Sequence, residues 1–126
     1  MIYKCTNPSC GCLTEEEAPP ALCPECGSSM REIREEEMTG RDWAALGGYW
    51  TGLRKNEKRI LYCYRMAAAK GNAWGICNLG WCMEAGVGID ADPKQAVWLY
   101  EQAAQAGYIP ALCNLAACLQ EGVGTE

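Results

Sequence analysis

Residues 76–88 read ICNLGWCMEAGVG, and residues 112–124 read LCNLAACLQEGVG. The second stretch follows the first at an offset of 36 residues. The two share Cys77/Cys113, Asn78/Asn114, Leu79/Leu115, Cys82/Cys118, Gly86/Gly122, Val87/Val123 and Gly88/Gly124. A fixed period of this length marks a repeat architecture, in which each unit buries its apolar side against the next. Working outward, one full unit spans 72–107 and a half unit spans 108–126. A shortened earlier unit spans 42–71. In it Leu46-Gly47 matches Leu79-Gly80, and Ala67-Ala68-x-x-Gly71 matches Ala103-Ala104-x-x-Gly107.

Each unit reads as two helices. Apolar spacing predicts helix A over 74–85, with Ile76, Leu79, Gly80 and Met83 on one stripe and Gly86 as a left-handed terminator. Helix B starts at Asp92-Pro93, a side-chain cap followed by proline in the first turn, and runs to Ala106. Its stripe is Ala96, Leu99, Tyr100, Ala103 and Ala104, whose small members let neighbouring helices approach closely. The third helix A is predicted over 109–121, exposing Leu112, Leu115, Ala116 and Leu119. Self-association through this half-repeat follows as an expectation.

The first forty residues are of another kind. Five of the ten cysteines lie within residues 1–26, among Pro, Gly and Ser. Cys23-Pro-Glu-Cys26-Gly27 places two thiolates two residues apart, with a glycine that lets the chain turn beneath a metal. Cys5 and Cys10, the latter followed by Gly11, form a longer first knuckle. The expected ligands of one structural zinc are Cys5, Cys10, Cys23 and Cys26, with Cys12 as the alternative to Cys10. Tetrahedral thiolates also suit iron. Strands are expected around 1–5 and 29–33, and the polar segment 14–21 as a connector. The fold class is therefore mainly α: a short α-hairpin solenoid over 42–126, preceded by a small β metal ribbon over 1–35 and a linker over 36–41. Cys63, Cys77, Cys82, Cys113 and Cys118 lie in apolar helical text and read mostly as small buried hydrophobes.

The charge is as uneven as the cysteines. Net charge is -5, and residues 1–40, with eight acidic and three basic residues, carry all of it. The absence of a basic stripe argues against non-specific nucleic-acid binding. There is no apolar run of membrane-spanning length and no apolar leader, so a cytoplasmic, non-membrane protein is expected. With no histidine, no phosphate loop and no nucleophile elbow, the expectation is a non-enzymatic protein.

Tyr3-Lys4-Cys5, Cys10-Gly11, Glu17-Ala18-Pro19-Pro20 and Cys23-Pro24-Glu25-Cys26-Gly27 resemble the rubredoxin-like ribbon at the end of rubrerythrins, and zinc ribbons generally. That resemblance implies one zinc or iron on four cysteines. Leu79-Gly80, Gly86-Val87-Gly88, Asp92, Lys94, Ala96, Tyr100, Ala103-Ala104 and Gly107 resemble the Sel1-like repeat, a relative of the tetratricopeptide repeat. This implies a scaffold that binds a protein or peptide, without per-repeat disulfides because Ala68 and Ala104 stand where such members carry cysteine. Candidate contact residues are Trp98 and its counterpart Tyr62 on helix B. On helix A they are Trp74, Asn78, Trp81 and Asn114. The alternative reading is an electron-transfer module, with iron in the ribbon and the repeats as its docking surface.

Overall fold

The computed structural model describes residues 1–17, 20 and 22–122. Ala18-Pro19 of the ribbon resemblance and the repeated Val123-Gly124 lie outside them. Three short strands open the chain: β1 (Ile2–Cys5), β2 (Leu13–Glu15) and β3 (Met30–Ile33). They form one antiparallel sheet in the order β2-β1-β3, with Tyr3 opposite Thr14 on one side and Glu32 on the other. β2 falls at the edge of the segment expected to be a connector. Its pairing to β1 and the burial of Leu13 under the first helix outweigh the polar character of its neighbours.

A 3₁₀ turn (Glu35–Glu37) and the buried Met38 lead into five helices: α1 (Gly40–Leu53), α2 (Glu57–Ala69), α3 (Ala73–Ala85), α4 (Pro93–Gln105) and α5 (Ile109–Glu121). Their boundaries follow the sequence signals. Thr39, Asn56, Asn72 and Asp92 each accept a hydrogen bond from a first-turn amide. Gly86 closes α3 at φ 75°. The Gly-Val-Gly that follows docks the loop on the preceding repeat. Val87 is buried, and Gly88, also at φ 75°, lies where a Cβ would come within 2.6 Å of the Glu57 carbonyl oxygen.

Packing is sequential: α1 on α2, α2 on α3, α3 on α4, α4 on α5. The core divides into three packets along this stack. The first joins Ile2, Leu13, Ile33 and Met38 of the ribbon side to Trp43, Leu46, Cys63 and Ala67. The second holds Ile60, Leu61, Tyr64, Leu79, Cys82 and Leu99. The third holds Cys77, Ala96, Tyr100, Ala103, Ala111 and Cys118. α3 thus buries two sides, so its predicted stripe was too narrow. Cys77 faces one packet and Cys82 the other, while Ile76 and Met83 are only partly buried. Leu115 was expected to be exposed but packs partly into the third packet, whereas Leu112, Ala116 and Leu119 are exposed.

One device recurs within the hairpins. Tyr64 of α2 lies over Gly47 of α1 and shares a 3.2 Å hydrogen bond with Thr51. Tyr100 of α4 lies over Gly80 of α3 and donates to Glu84 at 2.7 Å. Glycine leaves room for the ring, and the residue four positions later, one turn along the same face, meets the phenol.

The ribbon takes the place of a preceding helix B. Aligning Leu46-Gly47 with Leu79-Gly80 sets Asp42 against Gly75 and Tyr49 against Cys82. Gly75 packs on Ala67 of α2, and Cys82 faces the α2 packet. The matching residues of α1 turn instead to the sheet. Asp42 pairs with Lys4 at 2.8 Å, and the Tyr49 hydroxyl donates to the Glu15 carbonyl at 3.3 Å.

Gly80→Ala would bring a Cβ to 2.9 Å from Tyr100 Cε1, so a loss of about 1–3 kcal/mol in urea unfolding is expected. Gly52, in α1, has open space around its Cβ position. Gly52→Ala should therefore raise stability by roughly 0.5–1 kcal/mol, through helix propensity alone.

Candidate metal centre and binding surfaces

The sheet brings its two ends together as knuckles. Cys5 closes β1, and Cys10 follows a tight turn in which Asn7 Oδ1 accepts the Ser9 amide. Gly11, at φ 68°, then reverses the chain into β2. On the other side Cys23 and Cys26 flank Pro24-Glu25, with Gly27 at φ 75° beneath them. The two extra residues of the first knuckle are absorbed by the Asn7 turn.

Sγ atoms of Cys5, Cys10, Cys23 and Cys26 all lie within 4.8 Å of one another. Cys5–Cys26 is 3.5 Å and Cys10–Cys23 is 3.7 Å. A tetrahedron with metal–sulfur bonds of about 2.3 Å has edges of about 3.8 Å, so the donor set fits a thiolate-bound metal. Such sulfurs carry negative charge, and the chain aims N–H groups at them. The Asn7 and Glu25 amides point at Cys5 and Cys23, each at 3.4 Å, and Asn7 Nδ2 reaches Cys26 at 3.8 Å. The Ser28 hydroxyl and amide hold the Cys26 thiol down to about 6. Burial, with the facing sulfurs, pushes Cys5 up to about 12. Four thiols this close cannot all shed protons without a cation between them, so metal uptake releases protons and weakens as pH falls.

Cys12 is outside this group. Its carbonyl accepts the Cys5 amide at 2.9 Å, which sets the start of the β1–β2 pairing. Burial keeps its thiol protonated, up to about 12. Asn7 and Ser28 are the residues that sequence reasoning missed. The signal was present in Cys5-Thr-Asn7 and Cys26-Gly-Ser28, each a small polar residue two positions after a cysteine.

A second cluster clamps the ribbon to the helices. Arg59 of α2 makes two hydrogen bonds to the Glu15 carboxylate, from Nε at 2.9 Å and Nη2 at 3.1 Å, and a third to Glu35 at 3.3 Å. Trp50 Nε1 donates to the same Glu15 carboxylate at 2.8 Å. The guanidinium also lies over the rings of Trp43 and Tyr62, at 5.8 and 5.2 Å.

The helical architecture has a counterpart in sequence. The Sel1 repeat model matches residues 44–72, 75–108 and 109–126. The chain belongs to the Sel1 repeat family. A crystal structure of a protective antigen present in uropathogenic Escherichia coli strains, described as displaying an SLR fold, is similar to this Sel1 protein. The TM-score is 0.68 at 31% identity, over 72% of this chain and 20% of that one. The chain thus spans about a fifth of that relative. No curated protein matches it.

Within the Sel1 repeats the predicted contact residues occupy different situations. Trp98 is 51% exposed, beside Asp92, Lys94 and Gln95, and Trp81 is 37% exposed. Tyr62 packs edge-on against Trp43 at 5.5 Å and under Arg59, so much of its ring serves the ribbon clamp. Trp74 is half-buried against the first core packet. Asn78 is half-buried, and Asn114 Nδ2 reaches Cys77 Sγ at 3.5 Å, a bridge between α5 and α3. All ten cysteines are free thiols.

Cys23→Ser should abolish stoichiometric metal, measured by elemental analysis, while Cys12→Ser should leave one metal per chain. Chelation of the wild type should lower the melting temperature of the helical circular-dichroism signal, because the sheet and α1 share one core packet. Glu15→Gln should cost about 1–3 kcal/mol in chemical unfolding, the worth of hydrogen bonds to a charged group.

Proposed function

We propose that this chain is a non-enzymatic adaptor that binds another protein or peptide. In this reading a structural zinc on Cys5, Cys10, Cys23 and Cys26 holds the ribbon of residues 1–35 against Sel1 repeats over 42–126. One observation carries the proposal. Trp81 and Trp98 project from helices whose packing positions are already filled by other residues. Large aromatic side chains outside a complete core are the usual anchors of protein contacts. The Sel1 and tetratricopeptide-like architecture serves generally as a scaffold rather than a catalyst, which agrees with this reading.

The exposure of the cluster supports zinc in place of electron-transfer iron. Cys26 is exposed and Cys10 is half-buried, so the cluster is open to water, whereas an iron centre's potential depends on its enclosure. The six thiols outside the metal cluster are unpaired, which favours a reducing compartment, in keeping with a cytoplasmic location. Among the described residues no helix is long and apolar enough to cross a membrane.

α5 adds a second contact surface. Its exposed Leu112, Ala116 and Leu119 align with Ile76, Gly80 and Met83, the α3 residues on the side that receives α4. A second copy of the chain is the proposed occupant, through a two-fold contact that buries the same patch twice.

The metal-loaded protein should be colourless with one zinc; thiolate–iron absorption in the visible would transfer the reading to electron transfer. A photo-crosslinking residue at position 98 should give a discrete adduct with another protein in the native host, and the absence of any adduct from positions 81 and 98 would refute these tryptophans as its contact surface. In sedimentation, a concentration-dependent dimer that Leu119→Glu dissociates is expected. A monomer at every concentration would rule out the two-fold contact.

A further inference from the structure

The ribbon does not close completely onto the helices. Between its knuckles and the helices runs an open groove of about 550 Å³, within the size range of ligand sites. The ribbon wall runs from Cys10 to Leu13 and over Pro24 and Glu25. Arg41, Ala45, Gly48 and Tyr49 contribute the α1 wall, and Trp74 of α3 stands at its edge. The α1 positions recur at helical spacing, so they form one continuous strip. Gly48 matters most: a Cβ there would meet nothing nearer than Trp74 at 4.0 Å. The missing side chain leaves a trough between two aromatic walls.

Those walls are fixed before anything binds. The Tyr49 hydroxyl is held on the Glu15 carbonyl, and Trp74 is packed on the first core packet. The charge is also directional. Lys4 is committed to Asp42 at 2.8 Å. Arg41, one residue earlier in α1, has no carboxylate within 4.0 Å among the described residues. An unpaired guanidinium beside a small apolar trough complements an apolar side chain carried next to an anionic group.

We infer that this groove binds an extended segment of a partner protein, with a bulky apolar side chain in the Gly48 trough and an adjacent carboxylate on Arg41. The inference rests on the adaptor reading and assigns its partner a chemistry. Glu25, on the facing wall, opposes additional negative charge and so limits the segment to a single acidic position near Arg41. Because Pro24 and Glu25 lie between Cys23 and Cys26, the ribbon wall of the groove is built by the knuckle itself.

The test uses the zinc-loaded full chain and two acetylated, amidated hexapeptides, Gly-Ser-Leu-Trp-Asp-Gly and its counterpart with Lys in place of Asp. Binding is followed by the indole and guanidinium resonances of Trp74 and Arg41. The acidic peptide should shift both saturably, and the lysine peptide should bind about tenfold more weakly. Arg41→Glu should weaken the acidic peptide by about tenfold or more, and Glu25→Gln should leave it unchanged or tighten it. Gly48→Leu, which fills the trough while the helical spectrum stays intact, should abolish the shifts. Equal binding of the two peptides, persistence in Gly48→Leu, or no saturable shift would overturn the inference. Binding only at Trp81 or Trp98 would overturn it while leaving the adaptor reading in place.

Discussion

The ion pair between Glu15 and Arg59 joins two structures with little else in common. One is a sheet too small to have a core of its own. The other is a stack of helices whose first member would otherwise present apolar surface to water. Glu15 ends β2 and receives Arg59 and Trp50 together, while its carbonyl accepts Tyr49. Arg59 is largely covered by the rings of Trp43 and Tyr62. A carboxylate so fully satisfied sits in partial burial at little cost. It also fixes the register of the ribbon on the helices, which apolar contacts alone would leave free to slide.

This arrangement divides labour between the four-thiol cluster and the clamp. A metal on the four thiols would hold the two knuckles as a rigid body, since so few residues have few other means of staying folded. The clamp determines where that body sits. Through the shared packet of Ile2, Leu13, Ile33, Trp43 and Leu46 the two are mechanically continuous. A change at the sulfurs is therefore felt at α1.

The helical part was legible because its signals are local and repeated. Gly86, Asp92-Pro93 and the 36-residue period give the helix ends to within a residue or two. Cys5, Cys23 and Cys26 of the cluster were legible from spacing, whereas the choice of Cys10 over Cys12 needed the fold. Other features depend on contacts between distant residues. β2 exists through its pairing with β1. Arg59 meets Glu15 across 44 positions of sequence. The second buried side of α3 arises only because a helix precedes it, and a periodicity count on a single helix sees one stripe. Tyr64 over Gly47 and Tyr100 over Gly80 were half visible: the two glycines were seen to repeat and Tyr100 to lie on a buried stripe, but not that the glycine seats the ring. Asn7 and Ser28 look like ordinary loop residues until the sulfurs they serve are in place.

Asp42 and Tyr49 face the sheet where Gly75 and Cys82, one repeat later, face a helix. This substitution gives the array a polarity in its history. A solenoid lengthens by duplicating a unit, and the copy must find a seam shaped like the one it came from. On the ribbon side that seam has been rewritten with an acid and a phenol that suit a strand, so an inserted hairpin would meet unmatched polar groups. Between α2 and α5 the seams keep their small residues. Repeats gained or lost there would leave the ribbon seam, and the four-cysteine cluster beside it, as they are.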